Sequence, residues 1–237
     1  MTRVTLSASL MCGDLANLER TLADLAEADI DAIHLDVLDG AFSPSLPLGL
    51  ETVRRVRQLT KLPLDAHVMS VNNEYFISQM LDVGVDSVTF HYETSLHVDR
   101  QINLIRQAGA AAAVALNPAT SLSVLEFILD QADMICLMLI NPGYATLPGE
   151  KRVPYALAKI ARLRQLIRSN GLHTAIQVDG RVSLDAITAL VEAGASNLVL
   201  GSTSLFLPGR GLTENAAEVR RAANLGSAWA STGGPGQ

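Results

Sequence analysis

Four side chains carry the chemistry that can be read most directly from this chain: the imidazoles of His34 and His67 and the carboxylates of Asp36 and Asp179. The first His and Asp lie in Ile33-His34-Leu35-Asp36-Val37-Leu38-Asp39-Gly40. Alternation along an extended strand puts His34 and Asp36 on one face and Ile33, Leu35 and Val37 on the other. Strand interiors disfavour aspartate, and a buried one needs a partner. Taken singly, His34 and Asp36 read as a hydrogen-bonded pair, His67 as a core histidine and Asp179 as a helix cap. As a set they offer mixed nitrogen and oxygen ligation that suits one divalent ion, whether zinc, manganese, iron or cobalt. Asp36 and Asp179 add a second capability. Set on opposite faces of a flat intermediate, one removes a proton while the other returns one, which inverts a carbon next to a ketone through an enediolate that the cation stabilises. Ligation keeps both carboxylates ionised, while their mutual repulsion favours one shared proton.

Side chains so far apart in sequence need a scaffold that brings them together. The chain alternates short β-rich runs with amphipathic helical runs about eight times, the pattern of parallel strands joined by crossover helices. Strands are predicted at 4–9, 32–37, 64–69, 87–91, 111–116, 134–139, 174–178 and 197–200, and helices at 15–27, 50–58, 75–82, 98–107, 122–129, 155–168 and 184–192. Asp14 and Gly49 stand where the first two helices would be capped. Eight such units make an α/β fold, the (β/α)8 TIM barrel. The polar residues fall at the C-terminal ends of the strands: Ser9, then His34 and Asp36, His67, His91 and Glu93, Asn117, Asn141, Asp179, and Gly201 with Ser202. In a parallel barrel these ends share one face, where barrel enzymes do their chemistry. Gly84 and Gly194 mark helix-to-strand turns on the other face. Residues 1–223 are assigned to one barrel domain. The small and polar stretch 224–237 shows no helical or strand period and is expected to be a disordered or loosely attached tail.

The length of 237 residues is close to the roughly 250 of such barrels. No apolar run approaches the ~18 residues of a membrane span, so no membrane association is expected. The start, Met-Thr-Arg-Val-Thr-Leu, has no long apolar core with a cleavage site, which points to the cytoplasm. A net charge of −6, scattered basic residues and few aromatics argue against nucleic acid. The local basic pair Lys151-Arg152 suits a small anion better than a polymer. Cys12 and Cys136 lack metal-type spacing and read as buried free thiols.

Five ordered motifs then carry a resemblance. Ser9-Leu10-Met11, His34 to Gly40, Leu64-Asp65-Ala66-His67-Val68-Met69, Asn141-Pro142-Gly143-Tyr144 and Val178-Asp179-Gly180 resemble, in matching order, the ribulose-phosphate 3-epimerase family, over about Leu6 to Phe206. The resemblance implies a ribulose-phosphate-binding barrel and a metal-dependent interconversion of D-ribulose 5-phosphate and D-xylulose 5-phosphate in the pentose phosphate pathway. It also implies a homo-oligomer. By motif match, His34, Asp36, His67 and Asp179 correspond to metal ligands, Asp36 and Asp179 to the acid/base pair, Ser9 to a substrate-contacting serine, and Met69 and Met138 to pocket methionines.

The phosphate end departs from the family pattern. Its anion is expected where the loops after strands six, seven and eight meet, on backbone N–H groups around Gly143, Gly180, Gly201 and Ser202. After Tyr144, however, a short insertion leaves Gly149 as the surviving glycine and brings Lys151 and Arg152 toward the loop, while Arg181 replaces the family's second glycine. Arg181 reads either as a phosphate-binding fork or as a solvated cation. The loop after strand two, 41–47, also lacks the family's His and Asn. The expected substrate is therefore a ketose phosphate, with allulose 6-phosphate as the runner-up, since Ser9 to Cys12 and Leu116-Asn117-Pro118 also resemble allulose-phosphate 3-epimerases. A non-catalytic sugar-phosphate-binding barrel is the rival of another class. Decarboxylation ranks lower, because Asp36-Val37-Leu38-Asp39 lacks the lysine of an Asp-x-Lys-x-x-Asp arrangement.

Overall fold

In the computed structural model, which describes residues 3–145, 147 and 149–232, eight parallel strands close into a barrel in sequence order. They are β1 (Thr5–Ser9), β2 (Ala32–Leu38), β3 (Leu64–Met69), β4 (Ser87–His91), β5 (Ala111–Leu116), β6 (Met134–Met138), β7 (Ala175–Asp179) and β8 (Asn197–Leu200). Their alternating sequences explain the closure. Outward residues such as Leu35, Val37, Val68 and Phe90 pack with the helices into one apolar shell. Inward positions hold polar groups instead, among them His34, Asp36, Asp65, His67 and Gln177, all buried.

Among the described residues there are seven α-helices: α1 (Leu18–Glu27), α2 (Leu50–Leu59), α3 (Asn73–Val83), α4 (Val98–Gln107), α5 (Ala156–Ser169), α6 (Ile187–Ala193) and α7 (Leu212–Thr232). Asp14 accepts the Ala16 N–H and so caps the short 3-10 turn Leu15–Asn17 before α1. Gly84 ends α3 in the left-handed conformation, φ 80°.

Two expectations are corrected. The fifth crossover, expected as a helix over 122–129, forms the 3-10 turn Leu122–Leu125 and further tight turns. Bonds from Glu126 to Ser123 and from Ile128 to Leu125 span three residues, mixed with a four-residue bond from Leu129 to Leu125; Phe127 is exposed while Ile128 and Leu129 are buried. The tail expected to be irregular from Asn224 is helical as far as Thr232, because α7 runs on against α6. Gly226 permits that approach, since a Cβ there would lie 2.6 Å from the Thr188 carbonyl. Residues 233–237 lie outside the described residues. Among the described residues no helix is long and apolar enough to cross a membrane.

Candidate active site

The register of the barrel brings the four residues together. β2 and β3 pair with Asp36 beside His67 and His34 beside Asp65, while β6 and β7 pair with Met138 beside Asp179. One ligand atom from each of His34, Asp36, His67 and Asp179 lies within 4.8 Å of every other. His34 Nε2 is 3.7 Å from Asp36 Oδ1 and 3.9 Å from Asp179 Oδ2, and His67 Nδ1 is 3.3 Å from Asp179 Oδ2. Ser9 Oγ donates to the other oxygen of Asp36, Oδ2, at 2.8 Å.

The two imidazole nitrogens facing the cluster are buried and have no hydrogen-bond partner. Buried polar atoms are normally satisfied, so orphans aimed at two carboxylates point to a ligand. Burial disfavours a charge on His34, yet Asp36 and Asp65 outweigh it and hold the imidazole well above its usual range. Burial would raise the Asp179 carboxyl, but the adjacent His67 and His34 imidazoles bring it below the ordinary carboxylate range. The cluster therefore draws positive charge to itself. Two imidazole nitrogens and two carboxylates are a fitting donor set for a divalent transition ion, with no preference in the donors for one metal.

Support for the cluster comes from Asp65, Gln177 and Ser87, which carry no assigned role in the motifs, and from His91 and Glu93 on the strand-end rim. His34 Nδ1 lies 2.8 Å from Asp65 Oδ2, and Asp65 also accepts from Gln177 Nε2 at 2.6 Å and Ser87 Oγ at 2.8 Å. Burial would raise Asp65, but His34, Gln177 and Ser87 hold it below its usual range. His67 Nε2 meets His91 Nε2 at 3.0 Å, and His91 Nδ1 meets Glu93 Oε2 at 3.1 Å. The available signal was position: Asp65 sits two residues before His67 on the same strand face.

A cavity of about 290 Å³ opens above the cluster on the C-terminal face of the strands. Ser9, Asp36, Met69, Met138, Gly143, Asp179, Gly180, Arg181, Gly201 and Ser202 all line it. His34 and His67 are fully buried beneath. Gly149, Lys151 and Arg152 are described but do not line the cavity. Glu150 explains this: its carboxylate accepts the backbone and side-chain N–H of Asn141 at 2.9 and 3.1 Å, which draws the loop to the barrel wall and leaves Lys151 in solvent. Arg181 lines the cavity and is tied to the neighbouring loop. Its guanidinium donates to the carbonyls of Ala145 at 2.8 Å and Leu147 at 3.3 Å, from a left-handed backbone, φ 51°. Gly143 and Gly180 are needed as glycines, with φ 81° and 96°; a Cβ would lie 2.0 Å from Ser43 Oγ in the first and 2.5 Å from Ile140 Cγ1 in the second. Both cysteines are free; Cys136 is buried as expected, whereas Cys12 is half-buried and lines the cavity.

The chain is matched by the model of the ribulose-phosphate 3 epimerase family over residues 5–206. It is 36% identical over 201 residues to the chloroplastic ribulose-5-phosphate-3-epimerase of Arabidopsis thaliana, covering 84% of this chain and 70% of that one. It is 35% identical over 200 residues to the ribulose-phosphate 3-epimerase of Bacillus subtilis, covering 84% and 91%. Among solved structures, 3-hexulose-6-phosphate synthase from Salmonella typhimurium superposes with a TM-score of 0.69 at 16% identity, over 93% of this chain and 98% of that one, a likeness of fold. With the motifs, the closed barrel and this match in agreement, the chain belongs to the ribulose-phosphate 3-epimerase family and is an isomerase of the epimerase type.

Proposed function

We propose that this barrel epimerises a ketose phosphate at C3, interconverting D-ribulose 5-phosphate and D-xylulose 5-phosphate, by proton transfer between Asp36 and Asp179. The observation that carries the reading is the convergence of those two carboxylates with two unpartnered imidazole nitrogens at the floor of one cavity. The names of the relatives, epimerases of ribulose phosphate, supply the substrate class.

His34, Asp36, His67 and Asp179 would hold a divalent cation, which supplies Lewis-acid stabilisation of negative charge developing on the substrate's oxygens. Asp36 and Asp179 hold and move the proton. They project from β2 and β7, so each approaches the reacting carbon from its own side: one carboxylate takes the C3 proton and the other delivers one to the opposite face. Ser9 donates to Asp36 Oδ2 and fixes its orientation. Met69 and Met138, both buried and both on the cavity wall, keep water from the planar carbon, so that the returning proton comes from a carboxylate. At the far end, the backbone around Gly180, Arg181, Gly201 and Ser202 receives the phosphate. The size of the cavity, at the low end of small-molecule pockets of about 300 Å³ and above, suits a sugar phosphate rather than a nucleotide.

The stretches Ser9 to Cys12 and Leu116 to Pro118, similar to allulose-phosphate 3-epimerases, support a second reading of the same chemistry, with D-allulose 6-phosphate as substrate. Incubating the protein with tetrulose, pentulose and hexulose phosphates in heavy water tests both. Deuterium at C3 of the ribulose phosphate above all others supports the first reading, and deuterium in the hexulose alone the second. Deuterium in none of them leaves a non-catalytic barrel and ends the proposal.

A further inference from the structure

The supports of the two candidate imidazole ligands differ. His34 is held directly by a carboxylate, whereas His67 is held by a second imidazole. We infer that His91 and Glu93 are positioning residues that fix His67 as its Nε2-protonated tautomer, through a buried relay, and thereby turn the Nδ1 lone pair toward Asp179 and the cation site. The inference rests on the metal-site reading above and extends it to residues outside the four donors.

Counting protons along the relay fixes both tautomers. A neutral imidazole carries one N–H and one lone pair, and an ionised carboxylate only accepts. Glu93 Oε1 accepts the Asn117 N–H at 2.7 Å and the Thr120 hydroxyl, so this carboxylate is engaged as an acceptor on that side. Its other oxygen, Oε2, lies 3.1 Å from His91 Nδ1, which must supply the proton. His91 Nε2 is then a lone pair. The 3.0 Å contact between His91 Nε2 and His67 Nε2 needs one hydrogen, and His67 is the ring left to donate it. That leaves His67 Nδ1 unprotonated, the atom that has no hydrogen-bond partner and lies 3.3 Å from Asp179 Oδ2. The two rings lie near-parallel, 17° apart, and Phe42 packs against His91. His34 reaches the same end with the opposite nitrogen: Nδ1 is committed to Asp65 and Nε2 faces the cluster. Outer groups of this kind are worth about 10- to 100-fold in metal affinity.

The test compares His91→Phe, which keeps a buried ring but no acceptor, with His91→Gln, whose amide oxygen can still accept from His67. Co²⁺ binding is measured by competition with a chelating dye. The expected result is affinity about 10- to 100-fold weaker in His91→Phe and largely restored in His91→Gln. Equal affinity in His91→Phe and wild type overturns the inference, as does equal loss in both variants, which would assign His91 to shape alone. Long-range ¹H–¹⁵N correlation on the metal-free wild-type chain decides the matter without any variant: His67 is expected with its proton on Nε2 and His91 on Nδ1, and a proton on His67 Nδ1 overturns the relay. A wild-type chain that binds no Co²⁺ defeats the metal reading, while the tautomer measurement still judges this one.

Discussion

At the scale of single residues, the proposed chemistry divides between groups that move a proton and groups that place the substrate. Asp36→Asn and Asp179→Asn preserve size and hydrogen-bonding shape but remove the base, so each is expected to cut turnover by about a hundred- to ten-thousand-fold. Both variants should keep the far-ultraviolet dichroism of the wild type; turnover within threefold of wild type in either one refutes the two-base scheme. Arg181 belongs to the second group. Arg181→Gly relaxes the left-handed backbone but frees the loop at Ala145 and Leu147, so KM for the phosphorylated sugar should rise several-fold with kcat nearly unchanged. An unchanged KM would make the tether irrelevant to binding. The four donors were legible in the sequence because an ionisable group within an apolar strand demands a reason. His91 and Glu93 were visible only as rim residues, since the contact between His67 and His91 depends on how β3 and β4 lie side by side. Lys151 and Arg152 lie off the cavity wall, on a loop where Glu150 clasps Asn141, a contact that no local pattern announces.

The elements matter through what they tie together. Glu93 joins the end of β4 to the turn after β5, where Lys159 of α5 also donates to the carbonyls of Asn117 and Pro118. Burial would raise the Glu93 carboxyl, but hydrogen bonds from His91, Thr120 and the Asn117 N–H lower it from 4.5 to about 2. A carboxyl lowered in the folded state contributes stability that is present above 4.5 and lost as pH falls toward about 2. Thermal unfolding of the metal-free wild type and Glu93→Gln should therefore differ by a constant margin from pH 7 to 5, a margin that shrinks below pH 4.5; a margin unchanged at pH 3 contradicts this. The strands were legible nearly residue by residue, with β3, β4, β5 and β8 falling where alternation and turn residues put them. The end of α7 was not, because Gly226, Ser227 and Ala228 lack the large apolar residues by which an amphipathic helix is read. Those small residues let α7 lie close on α6. Gly226→Ala gains about 1 kcal/mol of helix propensity but meets the Thr188 carbonyl and Val191, and overpacking costs about 1–3 kcal/mol. A melting temperature lowered by up to about 8 °C is expected, and one raised would show that α7 is not held so closely.

For the molecule as a whole, the departure from an ordinary barrel is its interior. Side chains inside such barrels are mostly branched and apolar, yet here the layers beneath the cavity contain His34, Asp65, Ser87 and Gln177, joined by hydrogen bonds and buried or nearly so. The apolar burial that stabilises the fold has moved outward, to the shell between strands and helices. A polar interior is stable when its groups are partnered; Gln177 Oε1 and Thr89 Oγ1 are left without a partner, and so are the two imidazole nitrogens at its top, which alone face the two carboxylates together. A cation bound there engages β2, β3 and β7 at once, so it should stabilise the barrel as a unit and not one loop. A ligand that binds the folded chain alone adds about 2.7 kcal/mol at a hundred times its dissociation constant, which in a chain of this size corresponds to a melting point raised by about 5–11 °C. Calorimetry of the wild type with Zn²⁺, Mn²⁺ or Co²⁺ should show such a rise and its reversal by a chelator. In Asp36→Asn and Asp179→Asn the rise should be much smaller, because each has lost a charged donor from the same cluster. A rise of the same size in wild type and both variants would place the cation elsewhere on the protein, and the four donors would then be a hydrogen-bonded barrel floor without a metal.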